Sequence, residues 1–191
     1  MEIRSKRSSG LCMSPRPPSW SSDTSKGGSI RSDVGVSDSS IDVGALGPEQ
    51  HDEVRTLILN GLGEHWGSVD DTLNPDLADL TSSYGSGRTL VACDGRRVVG
   101  TGTVIQRDGT SAEIVRMSVA PDYRRTGVGR RLVADLVDTA RQWGVDRVIL
   151  ETSAHWTEVV EFYERCGFTL THFEEGAFGR DAWFELKLNA S

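Results

Sequence analysis

Residues 112–131 read AEIVRMSVAPDYRRTGVGRR, and this stretch decides the fold predicted for the chain. An apolar run ends at Pro121, a loop with Gly127 and Gly129 follows, and helical periodicity begins directly after that loop. The order predicts a strand, a phosphate-binding loop and a helix. Glycines let consecutive backbone N–H groups converge on one point, and the helix adds the positive end of its dipole.

Arginines crowd the same turn: Arg124, Arg125, Arg130 and Arg131. They predict a polyanionic ligand at the loop. The rest of the chain is acidic, because the total charge of −7 includes +2 from residues 1–40 and leaves −9 for residues 41–191. Such a charge argues against nucleic acid or an anionic membrane as the partner.

Residues 1–40 differ in composition from the remainder. They hold 13 serines, and their apolar residues show no periodicity. A segment of this kind cannot bury enough apolar surface to offset its ordering entropy, so we expect a disordered tail before a single domain at 41–191. An extension without function fits this composition, and a transit peptide rich in Arg and Ser is the alternative.

The expected compartment is the cytoplasm. The three cysteines, Cys12, Cys93 and Cys166, are odd in number and lack metal-like spacing, which favours a reduced protein. No apolar run has the length needed to span a bilayer.

Periodicity predicts the element order β-α-α-β-β-β-α-β-α-β-β. Alternating apolar residues around the Asp94-Gly95 and Asp108-Gly109 turns indicate an antiparallel meander, and residues 112–153 form one βαβ crossover. The fold class is therefore α/β (α+β), with a mixed, mostly antiparallel central sheet flanked by helices. The first helix is expected to end around Gly61-Gly63, and Asn74-Pro75 to begin the second.

The common nucleotide-binding loops do not fit residues 124–131. A Rossmann loop needs a third glycine where Leu132 stands, and a Walker loop needs a GK[ST] triplet. Arg124-Arg125-Thr126-Gly127-Val128-Gly129 instead resembles the [Q/R]-x-x-G-x-[G/A] fingerprint of the GNAT superfamily of acyl-CoA N-acyltransferases, and the resemblance covers about residues 41–190.

The resemblance implies a coenzyme site made mainly of backbone. Amides of the loop would hold the coenzyme A pyrophosphate, and the end of the preceding strand would contact the pantetheine arm. The residues carried over are Met117, Ser118, Val119, Arg124, Arg125, Thr126, Gly127, Val128, Gly129 and Arg130. A plain strand-to-helix turn with solvated arginines is the alternative for this loop.

The resemblance also implies a general acid at Tyr163, in the segment TEVVEFYERCGF at 157–168. A phenol can protonate a departing thiolate of similar pKa. The alternative is that Tyr163 only packs between helix and sheet. Family members often have an asparagine seven residues earlier, where this chain has Trp156.

Glu113 matches the general base of the family's histone-acetylating branch. We expect it to alternate with Val115, Met117 and Val119 on one apolar face, where desolvation suits a base. An ordinary polar residue at an exposed strand end is the alternative, and Glu151 is a second candidate base.

The segment EHWGSVDDTLNPDLAD, at 64–79, is expected to wall the acceptor site. Its acids suit a cationic amine, although most of them are expected to cap helices and face water. They are Glu64, Asp70, Asp71, Asp76 and Asp79.

The resulting hypothesis is an acetyl-CoA-dependent N-acetyltransferase that needs no metal. A primary amine of a small molecule or a protein would attack the thioester directly, and a homodimer paired through the C-terminal strands is compatible with the resemblance. The competing hypothesis is a catalytically inactive acyl-CoA-binding regulatory module, which the Trp156 departure would favour.

Overall fold

A computed structural model describes residues 41–67, 69, 71–176 and 179–188, so the predicted tail and Asp70 lie outside the described residues. The strands are β1 (Asp42–Ala45), β2 (Arg88–Asp94), β3 (Arg97–Gln106), β4 (Ser111–Val119), β5 (Arg147–Ser153), β6 (Thr169–Gly176) and β7 (Gly179–Lys187). The α-helices are α1 (His51–Trp66), α2 (Leu80–Ser83), α3 (Val128–Gln142) and α4 (Thr157–Arg165). The predicted element order is confirmed.

The seven strands form one sheet in the order β1-β2-β3-β4-β5-β7-β6. Strands β4 and β5 are parallel, and every other neighbouring pair is antiparallel. The predicted mixed, mostly antiparallel sheet is therefore confirmed. Helix α3 connects the two parallel strands, because parallel neighbours need a crossover that returns the chain to the same end of the sheet.

Helices cover the sheet from both sides. Leu132 and Leu136 of α3 pack with Tyr163 of α4 on what we call the helix-3 face. On the opposite helix-1 face, Val54 of α1 packs with Leu80 of α2. Among the described residues, no helix combines the length and the apolar character needed to cross a membrane.

Helix α1 is longer than predicted. It continues through Gly61 and Gly63 to Trp66 and ends at Gly67, whose φ of +79° is left-handed. A Cβ on Gly61 would lie 2.8 Å from the Ser118 hydroxyl oxygen, so this glycine lets the helix approach β4. Long-range packing therefore outweighs the weak helix propensity of glycine.

The second predicted helix is divided into two short pieces. A 3₁₀ turn covers Pro75–Ala78, and α2 begins at Leu80 after Asp79 adopts an extended conformation. The Asp79 carboxylate accepts hydrogen bonds from the backbone N–H and the hydroxyl of Ser82, at 2.9 and 2.6 Å. Asp79 is thus a helix cap, as expected for an acid in this segment.

Strand β4 contains a β-bulge. The two steps along β3 from Thr103 to Thr101 correspond to three steps along β4, from Val115 to Ser118. Arg116 lies within the extra step and has a left-handed φ of +55°. A bulge of this kind reverses the alternation of side chains for the rest of the strand.

The bulge makes one prediction wrong, because Glu113 does not share a face with Met117 and Val119. Beyond the bulge, both of these side chains pack in the core of the helix-3 face. Ser118 instead turns to the helix-1 face, where its hydroxyl donates to the Leu57 carbonyl at 3.1 Å. Glu113 is therefore on the side of the sheet that carries α1.

Candidate functional site

The loop before α3 turns sharply into the first turn of the helix. Gly127 is the N-terminal cap of α3 with φ +102°, and Arg125 is also left-handed at +64°. The hydrogen bond from Arg131 N to Gly127 O closes the first turn. Residues 128–130 lie within this first turn, where their N–H groups have no helical carbonyl to bind, so they are available to an anion at the positive end of the helix.

Gly129 allows α3 to lie close to its neighbours. A Cβ at this position would stand 3.2 Å from the Phe162 ring of α4 and 3.6 Å from Val119 of β4. The loop amides are therefore held immediately beside the end of β4. An added Cβ would be tight against the Phe162 ring and in ordinary contact with Val119.

The predicted arginine cluster is only partly available to a ligand. Arg124 forms an ion pair with Glu64 at 2.6 Å, and Arg131 pairs with an acid one turn along α3. Within the described part of the chain, Arg125 and Arg130 form no ion pair. These two guanidinium groups and the loop amides are the groups that fit a pyrophosphate.

Strands β4 and β5 separate beside this loop. Their pairing covers Ser111 to Glu113 on β4 and Arg147 to Ile149 on β5, although both strands continue further. We call the space between residues 114–119 and 150–153 the β4–β5 gap. Its β4 edge has no strand partner in the described residues, and backbone groups there can bind an extended ligand.

The last turn of α1 contacts both sides of the β4–β5 gap. Glu64 pairs with Arg124 in the loop after β4, and His65 stacks on Trp156, which follows β5. The two rings are 4.0 Å apart between centroids and inclined by 21°. Trp66 lies 5.6 Å from the Trp156 ring at 60°. Trp156 is therefore part of an aromatic cluster with His65 and Trp66.

Glu113 is buried at the closed end of the gap, with 4% of its surface exposed. The alternative that it stands at an exposed strand end is wrong. Its Oε2 accepts a hydrogen bond from Arg107 Nε, so the carboxylate is desolvated but paired with a cation. The same hydrogen bond raises the pKa of Arg107 above its ordinary value.

Glu151 lies near Glu113 on the same face of the sheet. Glu113 pairs with Ile149 in register, and Glu151 is two residues further along β5. Side chains two apart on a strand share a face. Unlike Glu113, Glu151 is exposed, and it is the first β5 side chain on the helix-1 face beyond the closed end of the gap.

Tyr163 is buried on the helix-3 face with 6% of its surface exposed. Its ring lies 5.9 Å from the Phe168 ring and 6.1 Å from the Phe184 ring. Burial raises the pKa of the phenol, so Tyr163 stays protonated at neutral pH. The Tyr163 ring therefore packs in the core, and its hydroxyl still carries the proton that a general acid must donate.

Sequence reasoning missed a polar network built on Arg116. Its Nε and Nη2 donate to the two carboxylate oxygens of Asp76 at 2.8 and 2.6 Å, and its Nη1 donates to Asn74 at 2.9 Å. The Tyr84 hydroxyl donates to the same carboxylate at 2.6 Å. The signal was the lone arginine inside the apolar run of β4. Asp76 therefore binds the sheet, where the sequence suggested an acid facing water.

Gly127 provides a direct test of the loop conformation. Gly127→Ala should lower the free energy of unfolding by about 1–2 kcal/mol, because a left-handed φ is strained for alanine. A Cβ there would meet nothing within 4 Å, so strain is the whole effect. Gly109→Ala is the matched control, since Gly109 has equal space and no left-handed φ. Equal unfolding midpoints in urea for the two variants would contradict this account.

Known proteins resemble this chain in sequence and in fold. The model of the "Acetyltransferase (GNAT) family" matches residues 53–168, which is more than half of the chain. An IAA acetyltransferase of Azospirillum brasilense is 36% identical over 124 residues, covering 64% of this chain and 78% of that protein.

A probable N-acetyltransferase camello of Xenopus tropicalis is 33% identical over 119 residues. The match covers 58% of this chain and 53% of the relative, so the chain spans about half the length of that protein.

Solved structures share the fold at low sequence identity. An acetyltransferase of the GNAT family from Staphylococcus aureus Mu50 superposes with a TM-score of 0.70 at 21% identity, covering 78% of this chain and all of the other. A GNAT family acetyltransferase from Elizabethkingia anophelis with acetyl-CoA bound gives a TM-score of 0.61 at 17% identity, covering 80% of this chain and 100% of that one.

Proposed function

Because the chain belongs to the acetyltransferase (GNAT) family, we propose that it transfers an acetyl group from acetyl-CoA to a primary amine. One observation carries the proposal. The amides at the start of α3 lie beside the open edge of β4, so a pyrophosphate and an extended thioester arm can be bound next to each other. This arrangement suits coenzyme A, which joins these two parts in one molecule.

The donor would be held mainly by backbone groups. The N–H groups of residues 125 and 127–130 bind the pyrophosphate, and the guanidinium groups of Arg125 and Arg130 add charge. Arg124 and Thr126 shape the loop, because their own N–H groups donate to the Pro121 and Tyr123 carbonyls and their side chains bind Glu64 and the Tyr123 carbonyl. The β4 edge at 117–119 pairs with the amides of the pantetheine arm in the gap.

The reaction is a direct attack on the thioester. The ammonium gives one proton to Glu113 or Glu151, and the nitrogen lone pair forms the C–N bond. The C–S bond breaks as Tyr163 protonates the departing thiolate. The second nitrogen proton leaves as the amide forms and restores the phenol, while the carboxyl group releases its proton to solvent.

The acceptor would be a small-molecule amine or a protein amine, approaching from the helix-1 face. We further propose that residues 41–191 form the catalytic domain, that residues 1–40 are a tail outside it, and that the protein acts in the cytoplasm. The acidic charge of the domain supports a cationic acceptor in preference to nucleic acid or a membrane. A homodimer would be detected by light scattering.

Calorimetry tests the donor site. Acetyl-CoA should bind in preference to NAD and ATP, and the double variant Arg125→Gln/Arg130→Gln should weaken binding by about 10-fold or more, since each charged hydrogen bond contributes about 1.5–3 kcal/mol. Arg131→Gln is the control, because Arg131 already pairs with Asp135.

Two results would change this proposal. Preference for NAD or ATP would overturn the donor assignment. Binding of acetyl-CoA without thiol release across a broad amine panel would favour the inactive binding module.

A further inference from the structure

We infer that Glu151, and not Glu113, accepts the proton of the incoming ammonium, and that Arg107 is the residue that decides between them. The inference rests on the proposed acetyl transfer and assigns the base, which that proposal leaves open. It follows from three observations: the pairing of Glu113, the position of Glu151, and the groups around Glu151.

Glu113 is poorly placed to take a proton. Its Oε2 is hydrogen-bonded to Arg107 Nε, and protonation of that oxygen requires this bond to break. The Glu113 side chain is 5% exposed and that of Arg107 is 47% exposed, so the ion pair closes the carboxylate off from solvent. Protonating Glu113 would leave Arg107 without its neutralising partner, which is unfavourable for a pair of this kind.

Glu151 is placed where the reacting nitrogen would be. It is the first β5 side chain on the helix-1 face after the β4–β5 pairing ends at Ile149, so it flanks the gap expected to hold the thioester. The side chain is exposed, which lets it meet the acceptor and return a proton to solvent. Arg107 hydrogen-bonds to Glu113, whereas it acts on Glu151 only through its charge, so Glu113 is the more strongly held of the two carboxylates.

The surroundings of Glu151 suit a cation. Trp183 is its cross-strand neighbour on β7, and His172 of β6 stacks on that indole at 5.9 Å between centroids and an angle of 2°. The indole Nε1 is buried and has no hydrogen-bond partner within the described part of the chain. An aromatic wall beside a carboxylate stabilises an ammonium.

Other titratable groups share this face and define the background for a pH experiment. They include Arg107 and Glu113 near the β3–β4 turn, Tyr84 after α2, Asp181 and Glu185 on β7, and His172 and Glu174 on β6. Arg147 approaches Glu185 at 3.7 Å and offsets its charge. Glu151 differs from these groups because it combines exposure with a position on β5 that borders the β4–β5 gap.

The test compares kcat/KM of Glu151→Gln and Glu113→Gln with the wild type between acid and neutral pH. Ionisation of the acceptor is common to all three proteins and cancels in the ratio of variant to wild type. At neutral pH the kcat/KM of Glu151→Gln should be about 10²- to 10⁴-fold lower than that of the wild type. This difference should become smaller in acid, where the wild type loses its base. For Glu113→Gln the ratio should not change with pH.

Further readouts separate chemistry from folding. Glu151→Gln should keep the dissociation constant for acetyl-CoA and the unfolding temperature, whereas Glu113→Gln should unfold at a lower temperature. Glu164→Gln, an exposed α4 acid, is the charge-matched control. A ratio that depends on pH for Glu113→Gln and is constant for Glu151→Gln would overturn the assignment. Failure of the acetyl transfer itself would differ, because the wild type would then release no thiol with any amine.

Discussion

Replacing Tyr163 with phenylalanine should slow amine-dependent thiol release by about 10- to 1,000-fold, within the range that general acid catalysis contributes. The ring fills the core of the helix-3 face among Phe162, Phe168 and Phe184, and phenylalanine preserves that packing. The change therefore removes a proton donor and little else. The dissociation constant for acetyl-CoA and the unfolding temperature should stay close to those of the wild type.

The chain has three tyrosines, so a Tyr→Phe series covers every phenol. Tyr84 donates to Asp76 in the Arg116 network, and Tyr123 donates to Asp94 near the surface. Neither hydroxyl lies in the core of the helix-3 face, and both variants should keep thiol release within about threefold of wild type, far from the effect of losing a general acid. Equal rates for Tyr163→Phe and wild type would remove Tyr163 from the chemistry and leave it as a packing residue.

The fold was predictable because its signals are local. Apolar periodicity, the Asp-Gly turns and Gly127 each act within a few residues, and together they predicted the element order and the mixed sheet. The errors came from distant contacts. Helix α1 passes through Gly61 because Ser118, far along the chain, requires close approach. The β4 bulge depends on pairing with β3, which no local pattern in β4 indicates.

In the candidate site, too, local features were predictable from the sequence and contacts between distant residues were not. The glycines of the α3 loop were visible as a motif, but the engagement of Arg124 depends on Glu64, which is distant in sequence. The position of Glu113 in the strand predicts its desolvation, whereas nothing in the strand pattern predicts its ion pair with Arg107 across the β3–β4 turn. A side-chain partner cannot be read from periodicity, because periodicity predicts which face a residue occupies and not which charges meet there.

The Arg116 network should be a large contributor to stability. Asp76→Ala should lower the free energy of unfolding by about 2–4 kcal/mol, because it leaves a half-buried guanidinium without its carboxylate and Tyr84 without its acceptor. For a domain of this size that corresponds to about 5–12 °C in Tm, measured by calorimetry. Burial and the hydrogen bond to Asp76 raise the pKa of Tyr84 to about 12, which shows how closely the phenol and the carboxylate are associated.

Asp122→Ala is the matched control for this prediction. Arg97 binds Asp122 through two hydrogen bonds at 2.7 and 3.1 Å, yet the two side chains are 55% and 54% exposed. The Arg116–Asp76 side chains are only 22% and 20% exposed. An exposed pair contributes about 0–1 kcal/mol, so Asp122→Ala should leave Tm nearly unchanged. Equal losses in the two variants would show that burial does not distinguish these pairs. A larger loss for Asp76→Ala would mean that Arg116 anchors the segment between α1 and β2 to the bulge beside the gap.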